Sequence, residues 1–215
     1  MSNYWWVTRP KRKLNSVPEV LSTFAEMSLN QQWAGQRTSQ LSLEEALEKS
    51  GLKRQGERRD QGAGGARTYK AWLVSLGLIF TQESTKQIKL TLAGEAIING
   101  DNPVDILKNQ VLKYQFPSAF SIGRNVDVSS RFKIHPFVFL LKLLMDNRIK
   151  YLNTNEIADV VMVEAENESD SCYEHIVKRI IEYRSFGKQI LPEDFCEKYG
   201  VKSGSTNLND VANTM

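Results

Sequence analysis

The chain has 215 residues, 41% of them hydrophobic and 25% charged, which is ordinary composition for one or two globular domains able to bury a core. Its longest apolar run, residues 137–141, stops at Lys142 and falls far short of the ~20 residues that span a bilayer. The formal net charge is +3, but residues 1–70 hold twelve basic and seven acidic side chains, a local balance of +5 that favours an anionic partner for that region.

At the start, MSNYWWVTRPKRK places aromatics before basic residues, the reverse of a secretory leader, so a cytoplasmic protein is expected. Cys172 and Cys196 have no pairing motif, and with only His135 and His175 beside them they form no zinc pattern. Residues 3–8 read as extended. Arg9, Lys11, Arg12 and Lys13 follow, kept out of a helix by Pro10, and serve either as a solvated basic tail or as a phosphate-binding arm.

Residues 16–27 form a helix with Pro18 in its first turn and Val17, Leu21, Phe24 and Met27 on one face. A second helix is expected to open at Ser42, where Ser42 and Glu45 have the spacing of a capping box, and to stop at Gly51. The segment LKRQGERRDQGAGGAR then carries Lys53, Arg54, Arg58, Arg59 and Arg67 against only Glu57 and Asp60. Its Gly64 and Gly65 stand at a helix N-terminus, an arrangement that suits phosphate, but a nucleotide-binding loop is excluded by the missing GK[ST] ending and preceding strand.

In residues 66–76 Ala66, Tyr69, Leu73 and Leu76 make an apolar stripe, Arg67, Thr68, Lys70 and Ala71 face outward, and Gly77 supplies a left-handed cap. Residues 78–81 and 86–91 read as two strands joined by a polar linker, a hairpin wing. Thr91 caps a further helix whose Leu92, Ala96 and Ile97 close over the same core. A helix followed by such a wing is a known way of presenting one positive helix to a DNA groove.

Asn102 and Pro103 start a helix with Val104, Leu107, Val111 and Tyr114 inward, ended by Pro117. FVFLLKLLMD, apolar almost all round, is expected to be the central helix of a second cluster, with His135 as a cap or core-edge residue. Residues 153–162 form a short helix capped by Asn153 and Glu156 and carrying Ile157, Val160 and Val161 inward. Tyr173, Ile176, Ile180 and Tyr183 mark another, capped by Ser171 and Glu174. The turn between them holds Glu164, Glu166, Glu168 and Asp170, which would repel phosphates. Residues 187–206 read as irregular, and NLNDVANTM begins a helix that looks cut short.

LTLAGEAIINGDNPVDILKNQVLKYQFPS, HPFVFLLKLL, EIADVVM, IVKRIIEYR and NLNDVANTM, in that order, resemble the N-terminal half of AlwI-like type IIS restriction and nicking endonucleases over roughly residues 69–215. The resemblance implies a recognition region of winged-helix subdomains, followed by a separate magnesium-dependent nuclease domain of the PD-(D/E)xK type. In this chain no Asp or Glu has Lys two positions on. The nearest patterns are Glu57 with Arg59, Asp146 with Arg148 and Glu182 with Arg184, so no catalytic or metal-binding residue and no cofactor is expected here.

The expected architecture is mainly α with a small β wing (α+β), as tandem winged-helix or helix-turn-helix subdomains over residues 1–101 and 102–215. Double-stranded DNA and a nuclease domain or subunit are the expected partners, and no membrane. Arg67, Thr68 and Lys70 would read bases; Arg9, Lys11, Arg12, Lys13, Lys53, Arg54, Arg58, Arg59, Lys86 and Lys89 would hold phosphates. A free-standing winged-helix regulator and a winged-helix protein-interaction module are the alternatives.

Overall fold

The computed structural model describes residues 4–7, 14–54, 62–122, 128–199 and 208–212. These residues are mostly helical, with one two-stranded antiparallel sheet, and none of their helices is long and apolar enough to cross a membrane. The chain divides into two compact units, Thr8–Val111 and a discontinuous one made of Met1–Val7 with Leu112–Met215.

In the first unit, a short 3-10 turn leads into α1 (Val17–Ser28), followed by α2 (Arg37–Lys49), α3 (Gly64–Ser75), β1 (Ile79–Thr81), β2 (Ile88–Leu90), α4 (Leu92–Ile98) and most of α5 (Pro103–Lys113). α1, α2 and α3 pack on one another around Leu21, Phe24, Leu43, Leu47, Trp72 and Leu73, and Ile79 and Ile88 of the hairpin close the same core. β1 and β2 are in register with Ile79 opposite Leu90 and Thr81 opposite Ile88. After α1 the chain runs beside β2: Asn30 N–H donates to Ile88 O (2.9 Å), Ile88 N–H donates to Gln31 O (3.0 Å), and Gln32 bridges Gln87.

Three expectations change in this unit. α2 starts at Arg37, not Ser42, because Trp33 packs on Phe24 at 5.1 Å and Gln40 Nε2 donates to Trp33 O, so tertiary packing continues the helix through the sequence-level cap. Ala71 is buried, Trp72 and Ala71 having joined the core stripe. Leu92 is 85% exposed at the start of α4, where Gly94 instead meets the core, lying so close to the Leu78 carbonyl that a β-carbon would overlap it. The caps at Gly77 and Thr91 form as expected: Gly77 has φ +66°, Leu78 N–H folds back to Leu73 O, and Thr91 Oγ1 accepts from Gly94 N–H.

The second unit contains α6 (Ala119–Ile122), α7 (Pro136–Met145), α8 (Thr154–Glu156), a π-helical segment (Ile157–Val161), α9 (Met162–Glu164), α10 (Asp170–Phe186), a 3-10 turn (Gly187–Ile190), α11 (Phe195–Tyr199) and α12 (Leu208–Ala212). Its core joins Phe139 and Leu143, Val160 and Val161, and Ile176 and Ile180. The N-terminal residues belong here: Trp5 N–H donates to Met162 O at 3.0 Å, Trp5 is fully buried, and Trp6 meets Phe116 edge to face.

α7 is not apolar-packed all round. Phe139, Leu140 and Leu143 are buried, but Val138, Leu141 and Leu144 are about two-fifths exposed and Met145 is 83% exposed, because among the described residues the core packs on the Phe139 and Leu143 side of the helix. α10 starts at Asp170 under a cap from Ser169, whose Oγ accepts from Cys172 N–H, so Ser171 lies inside the helix. Residues 187–199 contain the 3-10 turn and α11 where irregular chain was expected. The Asn153–Glu156 capping box is present in both directions.

Acid sensitivity follows from Arg148, which donates to both Asp146 and Glu174. These hydrogen bonds hold the Asp146 carboxyl well below the usual carboxylate range and lower that of Glu174. The folded chain then binds fewer protons than the unfolded one as these carboxyls titrate. The resulting stability is complete above the ordinary carboxylate pKa of about 4 and is lost as the pH falls below it. Arg148→Met should therefore lose stability less steeply than wild type between about pH 5 and pH 2 in urea titrations; equal slopes would count against this.

Candidate nucleic-acid interface

α3 is helical because its apolar residues recur at helical spacing, and Ala66, Tyr69, Trp72 and Leu73 bury that side. Arg67 and Lys70 are half-buried and Thr68 is exposed on the other side. None of the three is turned into the core. Each side chain is engaged locally: an Arg67 Nη1 N–H donates to Gly62 O, Thr68 Oγ1 donates to Gly64 O (2.9 Å), and Lys70 Nζ donates to Thr81 Oγ1 (3.2 Å). The last bond ties the helix to β1.

On the hairpin, Lys86 is exposed with φ +57°, and Lys89 Nζ donates to Asn30 Oδ1 at 2.7 Å. Arg54 is exposed. Lys53 Nζ lies 2.7 Å from Glu48 Oε1 and 3.6 Å from Glu44 Oε2. Arg9, Lys11, Arg12, Lys13, Arg58 and Arg59 lie outside the described residues. The structure thus brings Arg67, Thr68, Lys70, Lys86 and Lys89 onto the helix and hairpin of one unit, and withdraws Lys53 into ion pairs.

The α3 N-terminus, which sequence reading offers to phosphate, is met by a side chain of the protein itself. Glu44 of α2 is buried, and its Oε1 accepts from Ala66 N–H at 2.9 Å. Sequence reasoning missed this carboxylate. Its position on α2 reads as ordinary charge, and its partner is 22 residues away, beyond any local pattern.

Each glutamate of the acidic turn in the second unit has a side-chain partner. Glu164 pairs with Arg179 and His175, Glu166 with Arg131, and Glu168 with His135, which stands at the N-cap of α7. A cleft of about 410 Å³ opens there, lined by Arg131, Glu164, Glu166, Ser169, Cys172 and His175 among others, but its two glutamates are held by Arg179 and Arg131. Asp146 and Arg148 pair with each other in the turn after α7, and on α10 Glu182 pairs with Arg179 while Arg184 pairs with Glu156. Among the described residues, no three His, Cys, Asp or Glu side chains come together so as to hold a metal ion.

The family model of the AlwI restriction endonuclease matches residues 74–210. The chain belongs to that family. No curated protein matches it. Membership in the AlwI restriction endonuclease family makes DNA the substrate class. The matched span starts in the last turn of α3, so it takes in Lys86 and Lys89 on the hairpin together with α4 to α11 and leaves out Arg67, Thr68 and Lys70.

Proposed function

We propose that this chain is the sequence-specific double-stranded DNA-recognition region of a type IIS restriction or nicking endonuclease, and that magnesium-dependent cleavage belongs to a separate nuclease domain or subunit. The observation that carries the reading is the polar side of α3, with Arg67, Thr68 and Lys70, joined through Lys70 to a basic hairpin in a chain of a restriction endonuclease family. The order of α1, a strand-like segment beside β2, α2, α3 and the hairpin supports a winged-helix reading in which α3 is the element that enters the major groove.

In the bound state, Arg67 exchanges the Gly62 carbonyl for a base edge. A guanidinium reaches guanine O6 and N7 together, a pair worth about 1–3 kcal/mol of discrimination. Lys86, Lys89 and Arg54 meet phosphates, which supply affinity and register but carry little sequence information. The pairing of the carboxylates in the second unit supports placing hydrolysis elsewhere.

Selection of bound duplexes from a random pool, followed by titration at several salt concentrations, tests this. One asymmetric motif of a few base pairs is the expected result. Arg67→Ala should relax preference at one base pair, whereas Lys86→Ala should weaken all sequences alike and reduce the salt slope by about 1. A two-fold symmetric site bound by a dimer would replace the proposal with a regulator, and a shallow slope without preference would replace it with a protein-contact module. Cutting of the duplex by this chain when magnesium is added would refute the separate nuclease.

A further inference from the structure

α3 is held at both ends by side chains remote in sequence. Its N-cap residue, Ala63, sits at φ +61° and has no side chain able to cap. The missing acceptor comes from Glu44, whose Oε1 takes the Ala66 N–H, and Gly65 passes so close that a β-carbon there would overlap the same oxygen. At the other end Gln110 of α5 donates from Nε2 to both Leu76 O (2.9 Å) and Gly77 O (3.1 Å). Between them Tyr69 Oη donates to Leu52 O at 3.0 Å.

The chemistry of the two ends matches the helix. A carboxylate meets the positive N-terminal end and amide N–H groups meet the negative C-terminal end. Glu44 is a poor choice for stability alone. It is 1% exposed, its Oε2 hydrogen-bonds nothing among the described residues, and Lys53 Nζ stands 3.6 Å away, beyond hydrogen-bond length. Burying a charge with incomplete partners costs more than an apolar residue of the same size would. What the carboxylate and the amide achieve together is to set the rotation and axial position of α3 against α2 and α5.

We infer that Glu44 and Gln110 are positioning residues that clamp α3 and so set the aim of Arg67, Thr68 and Lys70. The inference rests on the recognition reading above. A helix able to slip or roll would still meet phosphates but would no longer deliver each side chain to one base edge, so the clamp acts on specificity and leaves non-specific affinity alone.

The test uses the whole chain and the duplex obtained by selection, compared with a scrambled duplex of the same length and composition. Glu44→Leu and Gln110→Leu should each reduce the preference ratio tenfold or more, with affinity for the scrambled duplex and its salt slope within twofold of wild type. Glu44→Gln keeps an oxygen to accept the Ala66 N–H and should stay within threefold of the wild-type ratio. A purely structural role would lower both affinities together or neither, and either result overturns the inference. So does a ratio within twofold of wild type in both leucine variants, or a Glu44→Gln variant as impaired as Glu44→Leu. If circular dichroism shows Glu44→Leu unfolded, Gln110→Leu on the half-exposed side of α5 decides alone. A wild-type chain with no preferred duplex overturns the recognition reading itself, and the clamp with it.

Discussion

Replacing Trp5 by alanine should destabilise the discontinuous unit by about 3–5 kcal/mol, the cost of emptying a large buried aromatic site. Trp5 is fully buried among residues more than a hundred positions away, and its backbone N–H is bonded to Met162 O. Its neighbours reinforce the docking: Tyr4 meets Tyr199 edge to face, and Tyr114 Oη donates to Trp6 O at 3.2 Å. Hydrogen exchange should show faster opening of the π-helical segment and of α10, with α1, α2 and α3 unaffected. Exchange rising equally in α1 to α3 would mean that the N-terminal residues are not part of that unit alone. Trp5→Phe should be much milder than alanine, because the indole N–H it removes has no hydrogen-bond partner among the described residues.

Glu156→Ala should cost about 3–5 kcal/mol, since it leaves Arg184 as an uncompensated charge in a site where its partner was fully buried. Arg184 Nε donates to Glu156 Oε1 at 2.7 Å, and its Nη atoms donate to Ile149 O (2.9 Å) and Tyr151 O (2.6 Å), with the guanidinium 4.2 Å from the Tyr151 ring centre. The same carboxylate accepts from Asn153 N–H and completes the capping box that starts α8. The pair thus joins α8, α10 and the turn after α7. Glu156→Gln keeps an acceptor for either partner and should recover more than half of the loss in thermal or urea unfolding. Glutamine behaving like alanine would show that the charge, and not the hydrogen bonding, carries the effect. Because the chain has two units, each should be followed by its own exchange pattern and not by a single midpoint.

Several parts of the candidate interface were legible because they depend on neighbours in sequence. The stripe at Ala66, Tyr69 and Leu73, the left-handed Gly77 and the Thr91 cap each involve residues within one or two helical turns, so spacing alone identifies α3, the hairpin and α4. Leu92 and Ala71 were misjudged where the pattern says that a residue is apolar or small but not which side of its helix finds a partner. α7 shows the same ambiguity on a larger scale, since a helix apolar all round gives no sign of which face will stay exposed. The ion pairs of Lys53 were hidden for a different reason. Its charge is visible in sequence, but the two glutamates that engage it lie on α2 and are found only after the chain turns back at Gly51.

By itself the amino-acid order determined the mainly helical class, the positions of most helices, the single hairpin and the polar side of α3, all of which follow from hydrogen bonding and apolar spacing within a few residues. The tertiary structure alone decided that Trp5 joins the unit that resumes at Leu112, that the acidic turn is met by Arg131, His135, His175 and Arg179, and that Glu44 and Gln110 grip α3. Those contacts join groups tens of residues apart or more, and their existence depends on chain reversals and on competition for buried space. No local period in the sequence encodes that competition.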